Sequence, residues 1–286
     1  MRLGGPIYGE WQDAAGWAAL VGTHGYRAAY APIRAGDPVA PGAYARAAAD
    51  AGIVIAEVGA WGNNPLSTDP AEAASIARCQ ERLALAEEFG ARCCVNVAGS
   101  RGARWAGPDP ANFADDTFAL IVDTVRAIID AVKPTRMAYA LEVMPWIFPD
   151  TPDTYVALVE AINRPAFGVH LDPANFIASP RRFYGNAALI REACARLGPL
   201  IRSSHAKDIA LLDGRGAVQF GGPTRPRWPR LSDLPDRTRP SRAQSAADAR
   251  TSAARRGVRG GGDAHPGRRR RTRDLAGWSP WWCLTS

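Results

Sequence analysis

MAYALEVMPWIFPDTPDTYVALVEAINRPAFGVHLD, residues 137–172, is the stretch whose reading decides the fold. An apolar run, Met137 to Met144, gives way to a longer segment of helical spacing, Thr151 to Ile162. A second apolar run, Ala166 to Asp172, then follows. Runs of this length read as strands and the segment between them as a helix, so the unit is a strand–helix–strand crossover of a parallel sheet. Each run also ends on a carboxylate, Glu142 after Ala138–Leu141 and Asp172 after Phe167–Leu171.

The alternation extends in both directions. Further β-like runs lie at Arg2 to Tyr8, Tyr26 to Ala31, Ile53 to Gly59, Ala91 to Ala98 and Leu200 to His205. Helical segments lie at Trp11 to Thr23, Pro41 to Ala51, Pro70 to Phe89, Asn112 to Val132 and Asn186 to Leu197. Between Phe113 and Val132, Phe118, Ile121, Val122, Val125, Ile128 and Ile129 recur at steps of three and four, one stripe that belongs against a sheet. Asp69 before Pro70 reads as a helix start, and Gly52, Gly90 and Gly198 as left-handed helix ends. Seven strands alternating with six helical segments predict an α/β fold, a (β/α)8 TIM barrel incomplete at its eighth strand. A doubly wound open sheet is the alternative, but Gly9-Glu10-Trp11 after the first strand offers no phosphate-cradling GxGxxG turn.

The chain has 286 residues, 47% of them hydrophobic and 22% charged, enough for one large core. Its five cysteines are too scattered for a disulfide framework, no apolar run is long enough to span a bilayer, and the first residues do not read as a secretory signal. The expectation is a cytoplasmic protein without a membrane partner. The net charge of +7 is unevenly distributed. Residues 1–222 carry 20 Lys plus Arg against 23 Asp plus Glu, whereas residues 223–286 carry 15 against 5. The division expected is therefore a barrel over 1–222 and a low-complexity Arg/Pro/Gly/Ala-rich tail over 223–286. Three accounts of that tail stay open: a disordered extension, a basic arm, or the frame-shifted reading of a GC-rich gene.

In a parallel barrel the C-terminal strand ends form the rim that carries chemistry. Glu142, Asp172 and His205 end three consecutive strands there, and a Glu/Asp/His set suits Mn²⁺, Mg²⁺, Co²⁺ or Zn²⁺. Each could equally cap its strand at the solvent edge. His170 falls on the same strand side as Asp172 and one layer deeper. Glu57, Asn96 and Lys207 occupy comparable rim positions, and Trp61 and Trp146 could floor the pocket.

GYRAAY at 25–30, VIAEVGAW at 54–61, ALEVMPW at 140–146, FGVHLDPANF at 167–176 and SSHAKD at 203–208 together resemble the xylose-isomerase-like barrels of the sugar phosphate isomerase and epimerase superfamily. The resemblance covers roughly residues 1–212. It implies that Glu142, Asp172 and His205 hold a divalent metal, and that a fourth ligand, a Glu at the end of strand eight, is missing. It also implies enediolate chemistry on a small carbohydrate, with proton transfer beside a carbonyl and Glu142 as one base. Asn175 stands where related ketose epimerases often have His. Substrate contacts are expected from Glu57, Asn96, Trp146, His170, Asn175 and Lys207, and a homo-oligomer is possible. Two alternatives are a noncatalytic barrel with a binding role and an abasic-site-type endonuclease. The second is disfavoured by the presence of only four histidines, and nucleic acid is not an expected partner despite the basic tail.

Overall fold

The structure is a computed structural model that describes residues 2–34, 36–211, 218–220 and 282–285, the last two segments by backbone alone. The described residues belong to one compact unit. The tail assigned to 223–286 lies outside the described residues except for 282–285.

The expected alternation is present. Seven strands, β1 (Arg2–Gly5), β2 (Ala28–Tyr30), β3 (Val54–Gly59), β4 (Cys93–Asn96), β5 (Ala138–Glu142), β6 (Phe167–Leu171) and β7 (Ile201–Ala206), run parallel in sequence order around a barrel. The helices between them are α1 (Ala14–Thr23), α2 (Pro41–Asp50), α3 (Ser75–Phe89), α4 (Asp115–Val132), α5 (Pro152–Ile162), α6 (Pro180–Tyr184) and α7 (Asn186–Leu197). The short α6, capped by Ser179, was not read from the sequence. Asp69 caps a separate 3-10 turn, Pro70–Glu72, before α3 begins at Ser75. Gly90 takes the left-handed cap at φ 62° and Gly52 is also left-handed, but Gly198 stays right-handed at φ −44° and runs into another 3-10 turn.

No parallel eighth strand–helix unit follows β7 among the described residues. After β7 come a small hairpin, β8 (Ile209–Leu211) with β9 (Val218–Phe220), and then β10 (Trp282–Thr285). β10 takes the eighth place in the barrel and pairs antiparallel with both β1 and β7. The backbone groups that an absent eighth strand would leave unpaired on β1 and β7 thus acquire partners.

Strand parity separates two interiors. Tyr139, Leu141, Val169 and Leu171 belong to the main core with α4 residues Ile121, Val125 and Ile128. The opposite parity is small inside the barrel, where Cys93, Val95 and Ala140 form their own cluster. Full burial of each large aliphatic side chain is worth about 1.5–3 kcal/mol, so the α4 stripe is a principal anchor of the sheet.

α5 is tied to the floor of the site. Thr151 and Thr154 form a capping box with Pro152 in the first turn, which fixes where the helix starts. From that helix the fully buried Tyr155 hydroxyl donates to the Leu141 carbonyl of β5 and accepts from the His170 amide of β6 at 3.3 Å. Tyr155→Phe should cost about 1–3 kcal/mol, because two buried backbone groups lose a partner. Chemical denaturation of the two proteins measures it, and an unchanged midpoint would show that neither bond contributes.

Candidate metal centre

Parity that puts Ala138 and Ala140 inside the barrel also puts Glu142 there; Gly168 does the same for His170 and Asp172, and Ser203 for His205 and Lys207. Three neighbouring strands therefore deliver their polar ends to one place. Donor atoms of Glu142, Asp172 and His205 lie within 4.8 Å of one another, and all three residues are buried. His205 Nδ1 stands 3.4 Å from Glu142 Oε1 and 3.7 Å from Asp172 Oδ2. The Lys207 ammonium bridges the two acids, pairing with Asp172 Oδ2 and lying 3.2 Å from Glu142 Oε1.

The other face of the His205 ring is occupied too. Nε2 is 3.3 Å from Glu57 Oε1 and 3.2 Å from the Tyr30 hydroxyl. A carboxylate on the far nitrogen fixes the tautomer and orientation of a ligating imidazole, which is the place Glu57 takes. His170, fully buried, lies deeper, with Nδ1 2.6 Å from Ser203 Oγ and 3.4 Å from Glu57 Oε2. Glu57, His170 and His205 form a second cluster that could hold a cation.

The charges are interdependent. Burial alone would raise Glu57, but His170 and His205 hold it down at about 2. Burial also opposes ionisation of Asp172, yet His205 and Lys207 keep it well below the usual carboxylate range. Glu142 goes the other way, pushed up by burial and by Asp172 against the pull of His205 and Lys207. Burial disfavours a charge on His205, but Glu57, Asp172 and Glu142 raise it well above the ordinary histidine value. His170, driven down to about 3 by burial and by His205, is neutral.

Other expected contacts divide. Asn175 joins the centre, its amide donating to Glu142 Oε1 at 3.1 Å and to the Val143 carbonyl at 3.0 Å. Asn96 does not: it has the parity opposite to Cys93, and its amide reaches the Asn63 carbonyl at 3.1 Å and Cys79 of α3 at 3.5 Å. It braces a loop against a helix. Trp146 is half-buried beside the core, and its carbonyl is held by Asn112. Trp61 faces the centre, with ring centroids 6.4 Å from both His170 and His205. A Cβ on Gly59 would fall 2.3 Å from Trp61 Nε1, so only glycine lets that indole fold back over the rim. Tyr30 and Ser203 were missed from the sequence; Tyr30 ends β2 and obeys the same strand-end rule.

A site of two carboxylates, one imidazole and an internal ammonium at the C-terminal mouth of a parallel barrel suits a divalent ion, since the donor set is hard to intermediate and already buried. This is the arrangement expected of a metal-dependent barrel enzyme. A sequence profile described as the xylose isomerase-like TIM barrel matches residues 18–240, and the chain belongs to that family. The match runs past Gly222 into the basic region. Among solved structures, the fold is similar to the probable 3-DHS dehydratase AsbF of Bacillus anthracis, at 17% identity, covering 70% of this chain and 69% of that one, with a TM-score of 0.53. It is similar also to an L-ribulose 3-epimerase, at 17% identity, 68% and 67% coverage and a TM-score of 0.53. No curated protein sequence matches significantly. No helix among the described residues is long and apolar enough to cross a membrane.

Proposed function

We propose that this protein is a divalent-metal-dependent isomerase or epimerase of a small polyhydroxy carbonyl compound, a sugar or sugar phosphate. The observation that carries this reading is the convergence of Glu142, Asp172 and His205, from three consecutive strand ends, within 4.8 Å. The likeness to an L-ribulose 3-epimerase fold is consistent with it. Glu142, Asp172 and His205 would hold the ion, of which Mn²⁺, Mg²⁺, Co²⁺ and Zn²⁺ all suit the donors. When bound it supplies Lewis-acid polarisation of a carbonyl.

The chain's own residues do the rest. Glu142, its Oε1 oriented by the Asn175 amide at 3.1 Å, takes the proton from the carbon beside the carbonyl. Lys207 offsets the acids and points an ammonium at the substrate oxygens. Glu57 holds His205 through Nε2 and so acts through that ring. Trp61 shields the mouth from water. Trp146 and His170 complete the pocket wall and floor in this reading, and Asn96 acts only through its loop. β10 reads Trp-Cys-Leu-Thr and brings no carboxylate, so among the described residues Glu142 and Lys207 are the groups placed to return the proton. The four described cysteines are free thiols, consistent with a cytoplasmic protein.

Incubation of metal-loaded protein with a panel of ketoses and ketose phosphates in D₂O tests the reading by NMR. Deuterium should enter at the carbon next to the carbonyl and be lost in Glu142→Gln. Stoichiometric metal with no exchange in any ketose would leave a metal site but remove the isomerase.

A further inference from the structure

The opposite end of the barrel is built of arginines. Arg92 immediately precedes β4, Arg136 and Arg164 precede β5 and β6 by two and three residues, and Arg202 is the second residue of β7. All four border one cavity of about 400 Å³ at the strand starts, together with Met137 and Ala166.

Two of the four are accounted for. Arg136 is spent on Glu87, Nε to Oε1 at 3.2 Å and a second bond to the Glu87 carbonyl at 2.9 Å. Arg164 makes a two-pronged pair with Asp130 at 2.6 and 2.7 Å. Arginines elsewhere on this end serve helix C-termini: Arg2 donates to the Gly52 carbonyl and Arg27 to that of Ala51. Arg92 and Arg202 have no acidic or carbonyl partner among the described residues.

Arg202 is placed by the backbone. Val169 pairs with Ile201 but His170 pairs with Ser203, so Arg202 is the extra residue of a β-bulge, a device that re-aims a side chain. The side chain crosses Gly168, where a Cβ would stand 2.7 Å from Arg202 Cγ. A bulge and a glycine together lay a half-buried guanidinium across the barrel floor. A half-buried cation without a counter-charge among the described residues opposes folding, so stability does not account for the placement.

We propose that this mouth of the barrel binds a phosphate-class oxyanion between the guanidinium groups of Arg92 and Arg202. Two forks without acids over one recess match a tetrahedral oxyanion, which accepts paired N–H bonds. The recess has room for a small anion, and Met137 and Ala166 supply an apolar part of its wall. The site lies at the end of the barrel opposite the metal centre and stands whether or not the proposed function holds.

Titration calorimetry of the full chain, in chelator and at constant ionic strength, tests it with inorganic phosphate and with glycerol 1-phosphate. One saturable site is expected; tighter binding of the free ion or of the ester identifies which form the site takes. Arg92→Ala, at an exposed position that should leave folding intact, and Arg202→Ala should each weaken binding about tenfold or more. Arg191→Ala on the exposed face of α7 should change nothing. Absence of binding by both probes overturns the proposal. So does binding that survives in Arg92→Ala, which would place it on the arginine-rich residues 223–286, or an equal loss in Arg191→Ala.

Discussion

Asp172→Ala should weaken divalent-metal binding by roughly a hundredfold or more and destabilise the metal-free protein by about 3–5 kcal/mol. Two causes are superposed. The carboxylate is one of three converging donors, and it is also the acid that pairs with Lys207 and faces His205. Without it two buried cations share fewer counter-charges. Its Oδ1 moreover caps the 3-10 turn Pro173–Phe176 by accepting from the Ala174 amide at 3.2 Å, worth about 1 kcal/mol. Asp172→Asn separates these effects: it keeps the cap acceptor and the volume but removes the charge. Metal affinity should collapse in both variants, while stability should fall less in Asn than in Ala. Calorimetry with Mn²⁺ or Zn²⁺ and urea unfolding measure the two quantities. Unaltered metal affinity in Asp172→Asn would show that the ion, if bound, sits elsewhere.

Asp172 was legible before any coordinates because the alternation of a strand is strict. Gly168, His170 and Asp172 share a side, as do Ala138, Ala140 and Glu142, and the ends of consecutive barrel strands adjoin. The same rule sets Asn96 apart: Cys93 pairs beside Glu57 and faces in, so a residue three further on faces out. Other features leave no local trace. The strand-end rule places Tyr30 at the rim, but its contact with His205 joins residues 175 apart and has no local signal. The bulge at Arg202 shifts register by one residue in a run that otherwise reads as a plain strand. β10 contributes four residues antiparallel between β1 and β7, and no apolar period in residues 223–286 points to it.

Lys207→Met should do the reverse of Asp172→Ala to metal affinity: tighten it, by about ten- to a hundredfold. Lys207 spans the two carboxylates that would hold the ion, so a divalent cation entering there meets a positive charge already in place. Two unit charges about 4 Å apart interact by about 4 kcal/mol at an effective dielectric of 20, and relaxation of a flexible lysine away from the ion reduces this. A gain of one to two powers of ten is what remains. The metal-free protein should pay in stability by about 3 kcal/mol, since Glu142 and Asp172 then confront each other with His205 alone between them. Methionine keeps most of the stem's apolar volume, so the change is chiefly one of charge. Opposite signs at two residues in direct contact are hard to produce by general loosening of the barrel mouth, which would weaken binding in both. Weaker metal binding in Lys207→Met would mean that the ammonium orders the acids for the ion and does not compete with it.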